Sequence, residues 1–122
     1  MKFLLDTNFL IDLYRYRIDF SEISDLISEP VEVHVLKETL TELEFLSKKS
    51  KYGKYAKLSL IFIKNIKATI LNFSGNVDDN IVKFADKNYV IVATNDKKLR
   101  QKLKQKGVKT IYLRARKHLA IG

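Results

Sequence analysis

The sequence predicts an open α/β fold in three layers, a mainly parallel sheet of about five strands between two layers of helices. Two observations predict it. Short apolar runs alternate along the chain with longer segments of helical periodicity, the pattern of successive strand-helix units. The length of 122 residues, 46% of them hydrophobic, suits one packed domain spanning 1–122 and is incompatible with global disorder.

The elements follow in order. "KFLLDT" (2–7) reads as a buried strand, and "NFLIDLYRYR" (8–17) as a helix with Leu10, Leu13 and Tyr14 on one face. "DFSEISDLISEP" is expected to be a short helix capped by Ser21 and stopped near Pro30. "VEVHVL" alternates as a strand does. Leu40, Leu43 and Leu46 recur at helical spacing between Glu38 and Ser50, and "KYAKLSLIFIKNI" forms a further helix. "KATILNF" is a strand, "DDNIVKFADKN" a helix, and "YVIVAT" the clearest buried strand. "DKKLRQKLKQKG" is a basic helix closed by Gly107, with Leu99 and Leu103 facing the sheet and Lys98, Lys102 and Lys106 outward. "VKTIYL" is the last expected strand, and a basic tail is expected from about 113–122.

Composition removes several classes of function. No apolar run approaches the roughly 20 residues of a membrane span, and the N-terminus lacks a signal-peptide pattern, so a cytoplasmic protein is expected. The absence of cysteine excludes a disulfide framework and any cysteine-based zinc site. Gly53, Gly75, Gly107 and Gly122 are too dispersed for a dinucleotide fingerprint or a P-loop. The two histidines, His34 in an expected strand and His118 in the tail, suit structural or phosphate-contacting roles better than general-base catalysis.

The net charge of +9 is unevenly spread. Residues 97–122 carry ten Lys or Arg and no acid, whereas the other 96 residues hold 13 basic and 14 acidic side chains. A terminal segment of this kind is the electrostatic footprint of a polyanion binder, most often of nucleic acid. Tyr52 and Tyr55, among Lys48, Lys49, Lys51, Lys54 and Lys57, read more simply as aromatic anchors on a solvated helix face than as base-stacking groups.

In a parallel sheet the working crevice opens at the carboxyl ends of the strands, near the switch in strand order. Asp6 and Asp96 each stand just past a strand there, Asp79 opens the helix leading into the "YVIVAT" strand, and Glu42 lies at the edge of an apolar helical stripe. Each has a bland reading as a helix cap, a dipole partner or a solvated residue. Four acids from four segments converge only if the sheet is parallel, and convergence without a cation is costly. Two carboxylates ~5 Å apart repel by roughly 3 kcal/mol at an effective dielectric near 20. A hard divalent cation, Mg²⁺ or Mn²⁺, relieves that repulsion and deprotonates a water for in-line attack at phosphorus.

"LLDTNFLID", "TLTELEFL", "DDNIVKFA" and "VIVATNDKKLR" resemble the four acidic signatures of the PIN-domain ribonucleases, in the family's order and over nearly the whole chain. The resemblance implies a PIN-like α/β/α fold and a metal-dependent endoribonuclease, with Asp6, Glu42, Asp79 and Asp96 around Mg²⁺ or Mn²⁺. Asn8 and Thr94 match the family's supporting polar positions. Glu38, one turn before Glu42, and Asp78, beside Asp79, stand as alternatives at those two places. The ending "VATNDKKLRQKLKQKGVKTIYLRARK" is similar to PIN nucleases of small-subunit ribosomal RNA processing and their small archaeal relatives. Lys98, Arg100, Lys102, Lys106, Arg114, Arg116 and Lys117 are then the expected RNA-binding residues, with rRNA or tRNA as partner.

Two other readings follow from the same family. One is a VapC-type toxin ribonuclease held by an antitoxin; the other is a non-catalytic RNA-binding scaffold, which retention of all four acids disfavours. Relatives are often homodimers, for which Tyr14 and Tyr16 are candidate interface residues.

Overall fold

A computed structural model describes residues 1–49 and 51–122. The elements run β1 (Lys2–Leu5), α1 (Thr7–Arg15), α2 (Glu22–Leu26), β2 (Glu32–Leu36), α3 (Lys37–Ser47), α4 (Gly53–Asn65), β3 (Thr69–Leu71), α5 (Val77–Lys87), β4 (Val90–Ala93), α6 (Lys97–Gln105), β5 (Thr110–Arg114) and β6 (His118–Ile121). The strands form one sheet in the order β3-β2-β1-β4-β5-β6. All neighbours are parallel except β5 and β6.

Alternation along the strands makes the layers, because successive side chains point to opposite faces. Phe3, Leu5, Ile91 and Ala93 turn to one face, where they meet Leu10 and Leu13 of α1, Ile23 of α2, Leu43 of α3 and Ile63 of α4. Leu4, Val90 and Val92 turn to the other, against Ile81 and Phe84 of α5 and Leu99 and Leu103 of α6. Four helices thus cover one face and two the other. Among the described residues, no helix is long and apolar enough to cross a membrane.

The sequence explains most boundaries. Asp6 and Asp96 cap α1 and α6, their Oδ1 atoms accepting from the backbone N–H of Thr7 and Leu99 at 2.9 and 3.1 Å. Gly107, at φ +75, ends α6 in the left-handed conformation. There the Val108 N–H donates to Leu103 O and the Gly107 N–H to Lys104 O, at 2.9 and 3.0 Å, which is the Schellman pattern. Leu99 and Leu103 are fully buried, and Lys98, Lys102 and Lys106 are exposed.

Two expectations need correction. The basic tail is not a tail: His118–Ile121 return as a sixth strand antiparallel to β5, with Leu113 opposite Leu119. Ala115 and Arg116, at φ 53 and 58, make the turn, and the Lys117 N–H donates to Arg114 O at 3.1 Å. No glycine or asparagine marks that turn, so the usual hairpin signal is missing. Ser21 stands at the start of α2 but its side chain caps nothing; the Asp19 carboxylate instead accepts from the Ser21 N–H at 2.9 Å. Tyr14 and Tyr16 are half-buried, and Tyr16 is covered by the guanidiniums of Arg15 and Arg116. Helix α3 ends at Ser47, and the expected helix end at Ser50 lies outside the described residues.

His34 is buried in β2, its Nδ1 3.0 Å from the Glu32 carbonyl, the structural role expected for it. Tyr52 and Tyr55 are half-buried against the α4 side of the core, with Lys51 and Lys54 over their rings.

Candidate active site

The chain builds β1, β2 and β3 in one direction across the sheet and then returns to add β4 and β5 on the other side of β1. The switch point is therefore the junction of β1 and β4. Asp6 follows β1 there and "TND" (94–96) follows β4. The Asp6 N–H donates to Ala93 O at 2.9 Å, which fixes the two strand ends together.

Asp6 is 9% exposed and its carboxylate is fully engaged on one side. Oδ2 accepts from Thr94 Oγ1 at 2.7 Å and from Asn8 Nδ2 at 3.2 Å. Thr94, with no exposure at all, also accepts from the Asp96 N–H at 3.2 Å, so one hydroxyl sets both aspartates. Asn8 is held in turn, its Oδ1 accepting from the Asn95 N–H at 2.9 Å.

Two residues unnoticed in the sequence complete this network. Asn95 Nδ2 donates to Asp12 Oδ2 at 2.9 Å, and Asn95 Oδ1 accepts from the Leu113 N–H at 2.7 Å. One amide therefore ties the end of β4 to α1 and β5. The position of Asn95 inside "TND" was the available signal, but its partners are 83 and 18 residues distant in sequence.

Burial pushes Asp6 above the ordinary carboxylate range, against the lowering bonds from Thr94 and Thr7, and the charges of Asp78 and Asp96 push it further. Glu42 is raised by burial of its carboxyl and by the charge of Asp6. These shifts link Asp6 to Asp78 in the first turn of α5, to Asp96 at the α6 cap and to Glu42 on α3.

The preferred Asp79 is not brought into this group; Asp78 is. The α5 helix starts at Val77, with Asn76 Oδ1 accepting from the Asp79 N–H at 3.1 Å. In that register Asp78 shares its face with buried Ile81 and Ala85, whereas Asp79 is exposed and shares the face of exposed Lys83. Glu42 is the glutamate whose carboxyl the charge of Asp6 raises. Glu38 nonetheless has a buried Oε2 with no hydrogen-bond partner. Both glutamates line a shallow groove of about 430 Å³ with Lys37, Thr41 and Phe45, whose ring is 59% exposed.

A family model described as PIN like domain matches residues 3–116. Ribonuclease VapC4 of Methanocaldococcus jannaschii is 35% identical over 98% of this chain and 95% of its own length. The chain belongs to the PIN-domain ribonuclease family. Among solved structures, the PIN domain endonuclease Utp24 aligns with a TM-score of 0.79 at 23% identity, over 98% of this chain and 90% of its own. VapBC2 from Rickettsia felis, bound to a DNA fragment from its promoter, aligns at 0.63 and 20% identity, over 92% and 98%. These two likenesses show the fold.

In this PIN domain the donor set suits a hard cation: every candidate ligand is a carboxylate oxygen, and Glu38 Oε2 is a buried acceptor without a donor. Among the described residues, however, no three Asp, Glu or His side chains are close enough together to enclose an ion. The acids feel one another's charge without touching.

The basic residues divide between two places. Arg114, Arg116 and Lys117 form the β5–β6 turn, on the same rim of the sheet as Asp6 and Asp96. Lys98, Lys102 and Lys106 form a stripe down α6, leading away from that rim. Arg100 lies on a different face, its guanidinium stacked 3.6 Å from the Tyr112 ring centroid.

Proposed function

We propose that this PIN domain, 1–122, is an endoribonuclease dependent on Mg²⁺ or Mn²⁺, working in the cytoplasm. The observation that carries the proposal is the buried Asp6 at the strand switch point, with acids from three other elements acting electrostatically on or with it. Asp6, Asp96, Glu42 and one of the pair Asp78 and Asp79 would hold the ion. When bound, such an ion supplies a water of lowered pKa and neutralises charge on the leaving oxygen. The chain's own contribution is orientation. Thr94 and Asn8 fix Asp6, Thr94 also seats the backbone of Asp96, and Asn95 locks β4, α1 and β5 into one rim. Arg114, Arg116 and Lys117 on the rim and Lys98, Lys102 and Lys106 on α6 would then track the RNA backbone, with Arg100 held apart from that stripe on the Tyr112 ring.

A structural RNA, rRNA or its precursor, is the proposed substrate, supported by the basic ending and its position beside the acids. The identity to Ribonuclease VapC4 favours a second reading, a toxin ribonuclease with tRNA among its targets and an antitoxin partner. A homodimer is compatible with either. Labelled ribosomal precursor RNA and tRNA, incubated with Mg²⁺ or Mn²⁺, separate the readings. Wild-type cleavage that disappears in Asp96→Asn supports the nuclease, and the RNA that is cut chooses between the two. No cleavage of any RNA with either metal overturns both.

A further inference from the structure

A second groove, of about 440 Å³, lies along α5, lined by Phe73, Asn80, Lys83, Phe84, Lys87 and Asn88. Its volume is within the range of small-ligand sites. It runs along the flank of α5 between Phe73, which follows β3, and Asn88, which follows α5. Asn80, Lys83, Phe84 and Lys87 recur at the spacing of one helical face, starting in the first turn of α5 two residues after Asp78. The groove therefore leads away from the candidate active site.

Three features describe what it would hold. Asn80 is only 7% exposed, yet its Nδ2 has no hydrogen-bond partner, a buried donor awaiting an acceptor. Phe73 offers a ring that is 38% exposed, 6.2 Å from the Phe84 centroid. Lys83 and Lys87 have no carboxylate partner, the only ion pair among the described residues joining the N-terminal amine to Glu29. An aromatic plate, a hydrogen-bond donor and two lysines outside any ion pair match the three parts of a nucleotide: π-face, base-edge acceptor and phosphate. The groove is built as well as open. Asn88 donates to Phe84 O at 2.8 Å and accepts from Lys2 Nζ at 2.7 Å, which pins its far end.

We propose that this groove seats one nucleotide of the substrate strand outside the cleaved bond. Its base stacks on Phe73 and accepts from Asn80 Nδ2, and its phosphates lie against Lys83 and Lys87. The assignment to a substrate strand rests on the nuclease reading; the groove itself does not.

The test is titration of the ¹⁵N-labelled full chain, in chelator, with AMP, CMP, GMP, UMP and, separately, inorganic phosphate. The Asn80 side-chain amide pair and the backbone amides of 80–88 should shift with at least one nucleotide. Phe73→Ala should weaken that binding about tenfold, and Phe73 is exposed enough for the variant to fold. Asn80→Ala should level the preference among bases. Shifts that phosphate alone reproduces, or no shift with any nucleotide, overturn the proposal. The titration needs neither metal nor cleavage, so an empty groove beside an active nuclease defeats this inference only. In the active enzyme Phe73→Ala should raise KM for RNA with kcat unchanged. Nucleotide binding in a chain that cuts no RNA overturns the assignment to a substrate strand.

Discussion

Thr94 has one hydrogen to give and gives it to Asp6, at 2.7 Å, in a place without solvent. Thr94→Val keeps the shape and removes the donor, leaving Asp6 Oδ2 with Asn8 alone and the Asp96 N–H with no acceptor from this side chain. Hydrogen bonds to charged groups contribute about 1.5–3 kcal/mol, so a stability loss of about that size is expected, together with slowed cleavage and an unchanged circular dichroism spectrum. Chemical denaturation and RNA cleavage check both. The acids separate in the same assays: Asp78→Asn should impair cleavage more than Asp79→Asn, and Glu42→Gln more than Glu38→Gln. The opposite order would place Asp79 and Glu38 at the reacting centre.

Asp6 also makes a statement about pH. Burial first, then Asp78 and Asp96, hold its folded pKa above the ordinary value. The folded chain binds that proton more tightly than the unfolded chain does. The resulting stability is complete below the unfolded pKa of about 4 and is lost as pH rises through the raised folded value. In chelator the melting temperature should therefore carry a component that falls as pH rises from about 4 toward neutrality. Asp78→Asn should flatten that fall, and equal slopes in both proteins would mean that Asp78 does not face Asp6. Asp6 and Asp96 were legible in the sequence because a carboxylate where an apolar run stops is visible by eye. Asp78 against Asp79 was not: adjacent helical residues point about 100° apart, and the starting residue of α5 decides which looks inward. Asn95 and Asp12 were invisible because their roles exist only after β4, α1 and β5 meet.

Among the elements, the β5–β6 hairpin departs most from what its residues suggest. Ala115 and Arg116 both hold positive φ, a conformation costing roughly 1–2 kcal/mol per non-glycine residue. The pairing of β5 with β6 keeps them there, from Arg114 opposite His118 to Ile111 opposite Ile121. Ala115→Gly should raise stability by about 1 kcal/mol by removing the Cβ clash, whereas Ala120→Gly, within β6, should lower it. Thermal unfolding of the two variants reads the contrast directly. The other strands were legible because each is an apolar run bounded by helical periodicity. "HLAI" was not, being four residues behind a run of basic side chains with no turn residue to announce it. The helix ends were legible at Asp96 and Gly107, where a side chain and a glycine set them, and misread at Ser21, where Asp19 does the bonding.

At the scale of the molecule, charge and topology coincide. The winding of the sheet puts the acids and the Arg114–Lys117 turn on one rim, while the α6 stripe from Lys98 to Lys106 runs back from it over about 12 Å at 1.5 Å per residue. If RNA lies along both, each phosphate contact should contribute about 0.7 to the slope of log K against log salt for a single strand. Replacing Arg114, Arg116 and Lys117 with Gln should flatten that slope by roughly two units and weaken unrelated sequences alike. Cleavage at saturating RNA should change little, because these groups position the strand. Affinities measured from low to physiological salt settle the matter, and an unchanged slope would take the turn out of the RNA path.

The sheet margins carry a different consequence. One outer strand, β3, has three residues and the other, β6, has four. An outer strand is a template on which another chain's backbone can add, and its danger grows with its length and flatness. A protein that gathers on a polyanion meets its own copies at high local concentration, where such templating leads to fibres. Here each margin offers a pairing partner only a residue or two of free ladder, and the last strand reverses direction besides. Crowded copies of this chain can meet through side chains, but they have almost no backbone with which to zip together.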